Sequence, residues 1–198
     1  MCLSKTLIKV WLLRDNNDMP DDVRMTSLLF LQALGVALVL DMLVGAVLYQ
    51  IMRPDLFRQL GVIILVISGL FFGVVWTIVL AWGWDWFYVY VFPMWMKDMG
   101  WAWGVAYALV GWGMWWVAKR FRKPLLVWAA LGGLEGIVTH AWAIWVGGVV
   151  SKPPIIQGAN PWAVLAFACF EKMFYWLVIL GIASGLDHIL SQKRQDVV

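Results

Sequence analysis

Long apolar runs alternate along the chain with short polar stretches that carry most of its charge. A helix needs ~20 residues to cross the ~30 Å hydrocarbon core of a bilayer. Five runs reach that length: residues 25–51, 60–83, 100–118, 125–150 and 161–186. They are too continuously apolar for the alternating strands of a membrane barrel. Backbone in lipid must satisfy its own hydrogen bonds, which a helix does internally. The pattern therefore predicts an all-α integral membrane protein, a bundle of about five transmembrane helices.

The polar stretches fill in the organisation. In residues 1–24, Leu3, Leu7, Trp11 and Leu12 can share one helical face, while Lys5, Lys9 and Arg14 are polar. This arm is too short to span and reads as an amphipathic helix lying on the membrane surface. Residues 25–190 form a single transmembrane domain, and 191–198 a polar tail. Pro20 followed by Asp21 and Asp22 fits a helix start, with proline in the first turn and acids at the positive end of the dipole. Asn160 and Pro161 form an N-cap and first-turn pair for the last span. Pro153, Pro154 and Gly158 make 151–160 a loop. Residues 84–100, dense in Trp, Tyr and Phe, read as an aromatic belt or short re-entrant piece with Asp85 at headgroup depth. A sixth crossing over 86–96 would put both chain ends on one side, but that stretch is too short to span comfortably.

Composition supports the class. The chain of 198 residues is 63% hydrophobic and 14% charged, with 16 tryptophans, and its mean hydropathy is +0.80. A soluble domain of this size cannot cover so much apolar surface. Indole prefers the membrane interface. The sequence pI near 9.0 does not imply nucleic acid, because the basic residues sit in short loops and leave no basic face for a phosphate backbone. Arg53 and Arg58 flank the first loop, Lys119, Arg120, Arg122 and Lys123 fill the third, and Lys193 and Arg194 follow the last span. The positive-inside rule places these, and the C-terminus, in the cytoplasm of a multi-pass protein.

Five ionisable residues stand inside the apolar runs: Asp41, Glu135, His140, Glu171 and Lys172. Charges at that depth cost roughly 2.5–3.5 kcal/mol on insertion scales, and by default mark function or a specific pairing. Ala129, Gly133, Gly136, His140, Ala143 and Gly147 fall on one stripe of the fourth span at 100° per residue. Such small residues let a second helix approach closely, so His140 points into a helix contact. Through Gly133, Gly136 and Gly147 the same stripe offers a face for a homo-oligomer or a larger membrane complex. Glu135 and Thr139 lie one turn apart on its flank, where the hydroxyl can reach the carboxyl group. In the fifth span Tyr175 is one turn from Glu171, and Lys172 points roughly 100° away. Glu135 and Glu171 each lie ten residues into antiparallel spans, ~15 Å from opposite ends at the helical rise. Pairing of Glu135 with Lys172, and of Glu171 with His140 or Tyr175, follows. Asp41 falls nearer the cytoplasmic end of its span.

Other chemistry is sparse. Cys2 and Cys169 are far apart and form neither a disulfide framework nor a metal pair. His140 and His188 are separated by ~24 Å of bundle, too far for one haem iron. Glu135, His140 and Glu171 match no standard ligand spacing, so neither metal nor cofactor is expected. Three functions remain. A transporter or proton-coupled carrier comes first, because chains of intramembrane Glu, His and Asp form proton relays. An accessory subunit of a larger membrane complex comes second. A membrane enzyme acting on a lipid or isoprenoid by acid–base chemistry comes third, with Phe170, Phe174, Tyr175 and Trp176 as an apolar wall.

Overall fold

The first long helix, α1 (Asp21–Ile51), opens at the acidic pair that follows Pro20. The structure, a computed structural model, describes residues 21–76, 87–88, 94–95, 100–147, 149–150 and 161–195. Of the surface arm expected over 1–24, residues 21–24 belong to α1, and the rest of it, like the loop expected over 151–160, lies outside the described residues. Pro54 ends α1, since the residue before a proline disfavours helical backbone, and Arg53 is extended at φ −82° and ψ 149°. The same proline opens a one-and-a-half-turn helix, α2 (Pro54–Gln59), where only a loop was expected. α3 (Gly61–Leu70) follows and widens into a π-helical turn over Phe71–Trp76. The remainder of the expected span, 77–83, is outside the described residues.

α4 (Gly100–Ala118) has the predicted bounds. α5 (Pro124–Trp142) runs into a second π-helical turn, Ala143–Gly147, so the fourth span is not helical to 150 as expected. Glycine weakens helix at 147 and 148, and the β-branched pair Val149–Val150 favours strand. That pair forms β3, hydrogen-bonded to β1 (Phe87–Tyr88). β1 also pairs antiparallel with β2 (Met94–Trp95). β1 and β2 thus run in opposite directions side by side, an arrangement that a single straight sixth crossing over 86–96 does not give. α6 (Pro161–Gln195) continues nine residues past the predicted end into the polar tail. After Gly185 neither proline nor glycine interrupts it, and Gln, Lys and Arg propagate helix well.

The described chain is thus helical apart from three two-residue strands and short connections. Among the described residues, two helical stretches are long and apolar enough to cross a membrane, Pro124–Val146 and Pro161–Gln192. Leu38–Ile51 and Gly61–Val75 are apolar but shorter. By length and composition the expectation of five such helices is met for two.

α6 is the hub, packed against α5, α1 and α3. α5 runs antiparallel to it: Gly132 meets Trp176, and Gly136 meets Ala168 and Lys172. α1 runs parallel to it, with Gly45 3.9 Å from Leu177 and Gly181 3.8 Å from Leu48, measured from a Cβ built on each glycine. α3 and α4 form a second antiparallel pair. Phe57, Ile64, Phe72, Trp128, Tyr175 and Trp176 are fully buried between these helices. Large apolar side chains also cover the outside, with Val62, Trp101 and Trp162 at 76%, 77% and 69% exposed. A monomer in water rarely shows apolar surface on that scale.

Candidate functional site

Close approach of α5 and α6 builds the site. A Cβ on Gly136 would run into the Ala168 carbonyl oxygen, and would lie 2.8 Å from Lys172 Cβ. Only glycine lets the two backbones meet there. Gly133 lies close to Cys169, whose Sγ would be 2.9 Å from an added Cβ. The small-residue face is thus taken up within the chain at Gly133 and Gly136.

At this contact Lys172 is buried, 3% exposed. Its Nζ donates to the Tyr107 hydroxyl at 2.9 Å, and that hydroxyl donates to Glu135 Oε1 at 2.7 Å. The Trp176 indole N–H donates to the other Glu135 oxygen at 3.1 Å. The sequence expectation of a direct Glu135–Lys172 bond is therefore replaced by a bridged one. Tyr107 stands between the two charges, as a hydroxyl that both accepts and donates. An ionised carboxyl group only accepts, and both Glu135 oxygens do so here.

Aromatic rings enclose the ammonium. Nζ lies 4.6 Å from the Tyr107 ring centroid, 4.9 Å from Phe72 and 5.1 Å from Tyr175. Cation–π contacts are strongest where, as here, the cation is shielded from water. Phe72 stacks on Tyr107 at 3.6 Å and 8° between planes, while Tyr175 meets both edge-on. Tyr175, expected near Glu171, has its hydroxyl directed to the Ser68 carbonyl at 3.5 Å.

Glu171 addresses a different neighbour. Its Oε2 lies 3.9 Å from His140 Nε2, with the side chains 13% and 8% exposed. His140 Nδ1 is 2.9 Å from the Gly136 carbonyl oxygen. A carbonyl only accepts, so Nδ1 carries the hydrogen and Nε2 is the atom turned to Glu171. The facing atoms Nε2 and Oε2 offer two homes for one proton. The separation suits an ion pair and exceeds a direct hydrogen bond.

Thr139 departs from expectation. Its hydroxyl donates to the backbone carbonyl of Glu135 at 2.8 Å, not to the carboxyl group. This is the usual back-bond of a mid-helix threonine. Asp41 lies in the C-terminal third of α1 (Asp21–Ile51), and the parallel register of α1 and α6 puts it level with Met173, within electrostatic reach of Cys169. It is 6% exposed, and neither carboxylate oxygen has a hydrogen-bond partner among the described residues. His188 lies apart from the cluster, bonded to Gln192 on the exposed end of α6. Among the described residues no group of three or more His, Cys, Asp or Glu side chains is placed to hold a metal ion.

Sequence reading missed Tyr107 and Phe72, and took Trp176 as apolar wall and not as a hydrogen-bond donor to Glu135. Tyr107 had a signal, since Gly104, Tyr107 and Gly111 share an inward face of α4 at helical spacing, and all three are buried. Phe72 had none, because it sits in a π-helical turn that shifts the helical periodicity. Such turns often accompany functional sites, and here one, Phe71–Trp76, contains Phe72 and the other, Ala143–Gly147, begins three residues after His140.

No family model matches the chain, and no curated protein or solved structure matches it either.

Proposed function

We propose that α1, α3, α4, α5 and α6 cross a bilayer as a multi-pass bundle, and that the protein is a small transporter or proton-coupled carrier working through His140 and Glu171. The crossing is supported by apolar outer faces on all five helices and by the arrangement of the connections. Trp115 Nε1 donates to the Phe57 carbonyl at 2.8 Å, which sets the first and third connections side by side. β1, β2 and β3 set the second and fourth together. Alternate connections thus gather at opposite ends, as a serpentine bundle requires. With loops one and three in the cytoplasm, the C-terminus is cytoplasmic too.

The observation that carries the functional reading is the His140–Glu171 pair. The buried charges divide into two sets. Lys172, Tyr107, Glu135 and Trp176 form a hydrogen-bonded series that fixes α4, α5 and α6 to one another. His140 and Glu171 face each other across 3.9 Å with one proton to share, as a relay station requires. Asp41, buried without a hydrogen-bond partner among the described residues and at nearly the same depth, adds a second carboxyl group on the α1 side of α6. An enzyme that stabilises a carbocation over aromatic faces fits less well, because Lys172 itself fills the cage of Phe72, Tyr107 and Tyr175. Purified protein in liposomes carrying an internal pH dye tests the reading. The expected result is proton flux in the wild type that Glu171→Gln abolishes. Equal flux in protein-free liposomes, or none under any imposed gradient, overturns it.

A further inference from the structure

One end of the bundle is strongly basic. After α4 the chain turns through Lys119, Arg120, Phe121, Arg122 and Lys123, of which all but the half-buried Lys119 are exposed. Arg53 and Arg58 lie on the adjoining connection, held beside the α4 terminus by the Trp115–Phe57 bond. Asp55 is the one acid on these two connections, and it pairs with Arg58 at 3.5 Å. Two of the cations are pre-positioned on indole faces: Arg120 at 3.3 Å over Trp116 and Lys119 at 3.9 Å over Trp115. Trp116 and Phe121 are themselves 41% and 50% exposed, adding apolar surface at the same level.

We infer that this rim binds the headgroup of an anionic phospholipid. The inference rests on the proposed bilayer crossing, which puts the end of α4 at the membrane interface. A guanidinium clamps a phosphate through a planar fork of donors, and stacking on Trp116 holds the Arg120 guanidinium in one plane. Trp116 and Phe121 suit the boundary between headgroup and acyl chain, where aromatic rings are enriched. A soluble phosphate would use the cations and leave the aromatic surface unused. Basic residues near an anionic leaflet attract it by about 1 kcal/mol each.

The test uses the full-length protein in phosphatidylcholine vesicles, with spin-labelled phosphatidylglycerol or spin-labelled phosphatidylcholine as probe. The expected result is preferential association of the anionic probe. That preference should fall roughly fivefold for each basic side chain removed in Arg120→Gln and Arg120→Gln/Arg122→Gln, following the energy per charge. Both side chains are exposed, so the variants keep their fold, and circular dichroism verifies it. Equal association of the two probes overturns the inference, as does a preference that survives both substitutions. Loss of the preference on adding inorganic phosphate, but not chloride at equal ionic strength, assigns the rim to soluble phosphate and overturns it as well. A protein that fails to float with vesicles contradicts the bilayer crossing instead, which separates the two failures.

Discussion

The Tyr107 hydroxyl donates to Glu135 Oε1 across 2.7 Å, joining α4 to α5 at the level where Lys172 enters from α6. This bond closes a series in which each polar atom has a partner. Tyr107→Phe removes two bonds at once and leaves an ammonium and a carboxylate buried without their intermediary. Buried hydrogen bonds to charged groups are worth roughly 1.5–3 kcal/mol each, with measured values lower in membranes. A loss of about 2–4 kcal/mol is expected on that basis, read as thermal or denaturant unfolding in mild detergent.

Lys172 and Glu135 should behave as a coupled pair. Lys172→Met strands the Glu135 charge, and breaking a buried pair from one side costs about 3–5 kcal/mol. Adding Glu135→Gln removes the stranded charge. The double variant is therefore expected to be more stable than Lys172→Met alone, with a non-additivity of at least ~1 kcal/mol. Strictly additive losses would show that the series does not act as a unit.

Gly136 sets the spacing of α5 and α6. Gly136→Ala drives a methyl group into the Ala168 carbonyl and the Lys172 side chain. Overpacking of this kind costs about 1–3 kcal/mol. Gly113 has nothing within 4 Å of an added Cβ. Gly113→Ala should therefore be neutral or stabilising, because alanine is the better helix former by ~1 kcal/mol. Unfolding of the two variants side by side checks the contrast.

The bundle was largely legible in the sequence, and the cluster less so. Hydrophobic run length found α1, α4, α5 and α6 to within a few residues at most ends. It failed at 147–150, where glycines and a valine pair exchange helix for a strand whose partner is sixty residues earlier. Helical spacing placed His140 against α6 and put Glu135 and Glu171 at one depth. It missed Tyr107 as the bridge, because spacing within α5 and α6 carries no information about α4. Run length placed Asp41 in the C-terminal part of α1, but only the register between α1 and α6 shows that it stands level with Met173, close to the depth of Glu171.

Asp41 offers a separation of stability from function. A buried carboxyl group without a partner costs several kcal/mol of desolvation. Asp41→Leu should therefore raise stability, by about 1–3 kcal/mol if the apolar side chain packs without strain. On the carrier reading the same substitution lowers proton flux. A destabilised Asp41→Leu variant with normal flux would mean that the carboxyl group is bonded in the working protein.

The division of the buried charges into a fixed series and an exchanging pair is tested most directly by proton flux in liposomes. The wild type is compared with Glu171→Gln, His140→Gln and Tyr107→Phe, each normalised to the amount of folded protein. Flux should vanish in the first two variants, while their unfolding midpoints stay close to the wild-type value. In Tyr107→Phe the midpoint should fall while flux per folded molecule persists. Undiminished flux in Glu171→Gln, or flux lost only in proportion to unfolding in all three, would contradict the account.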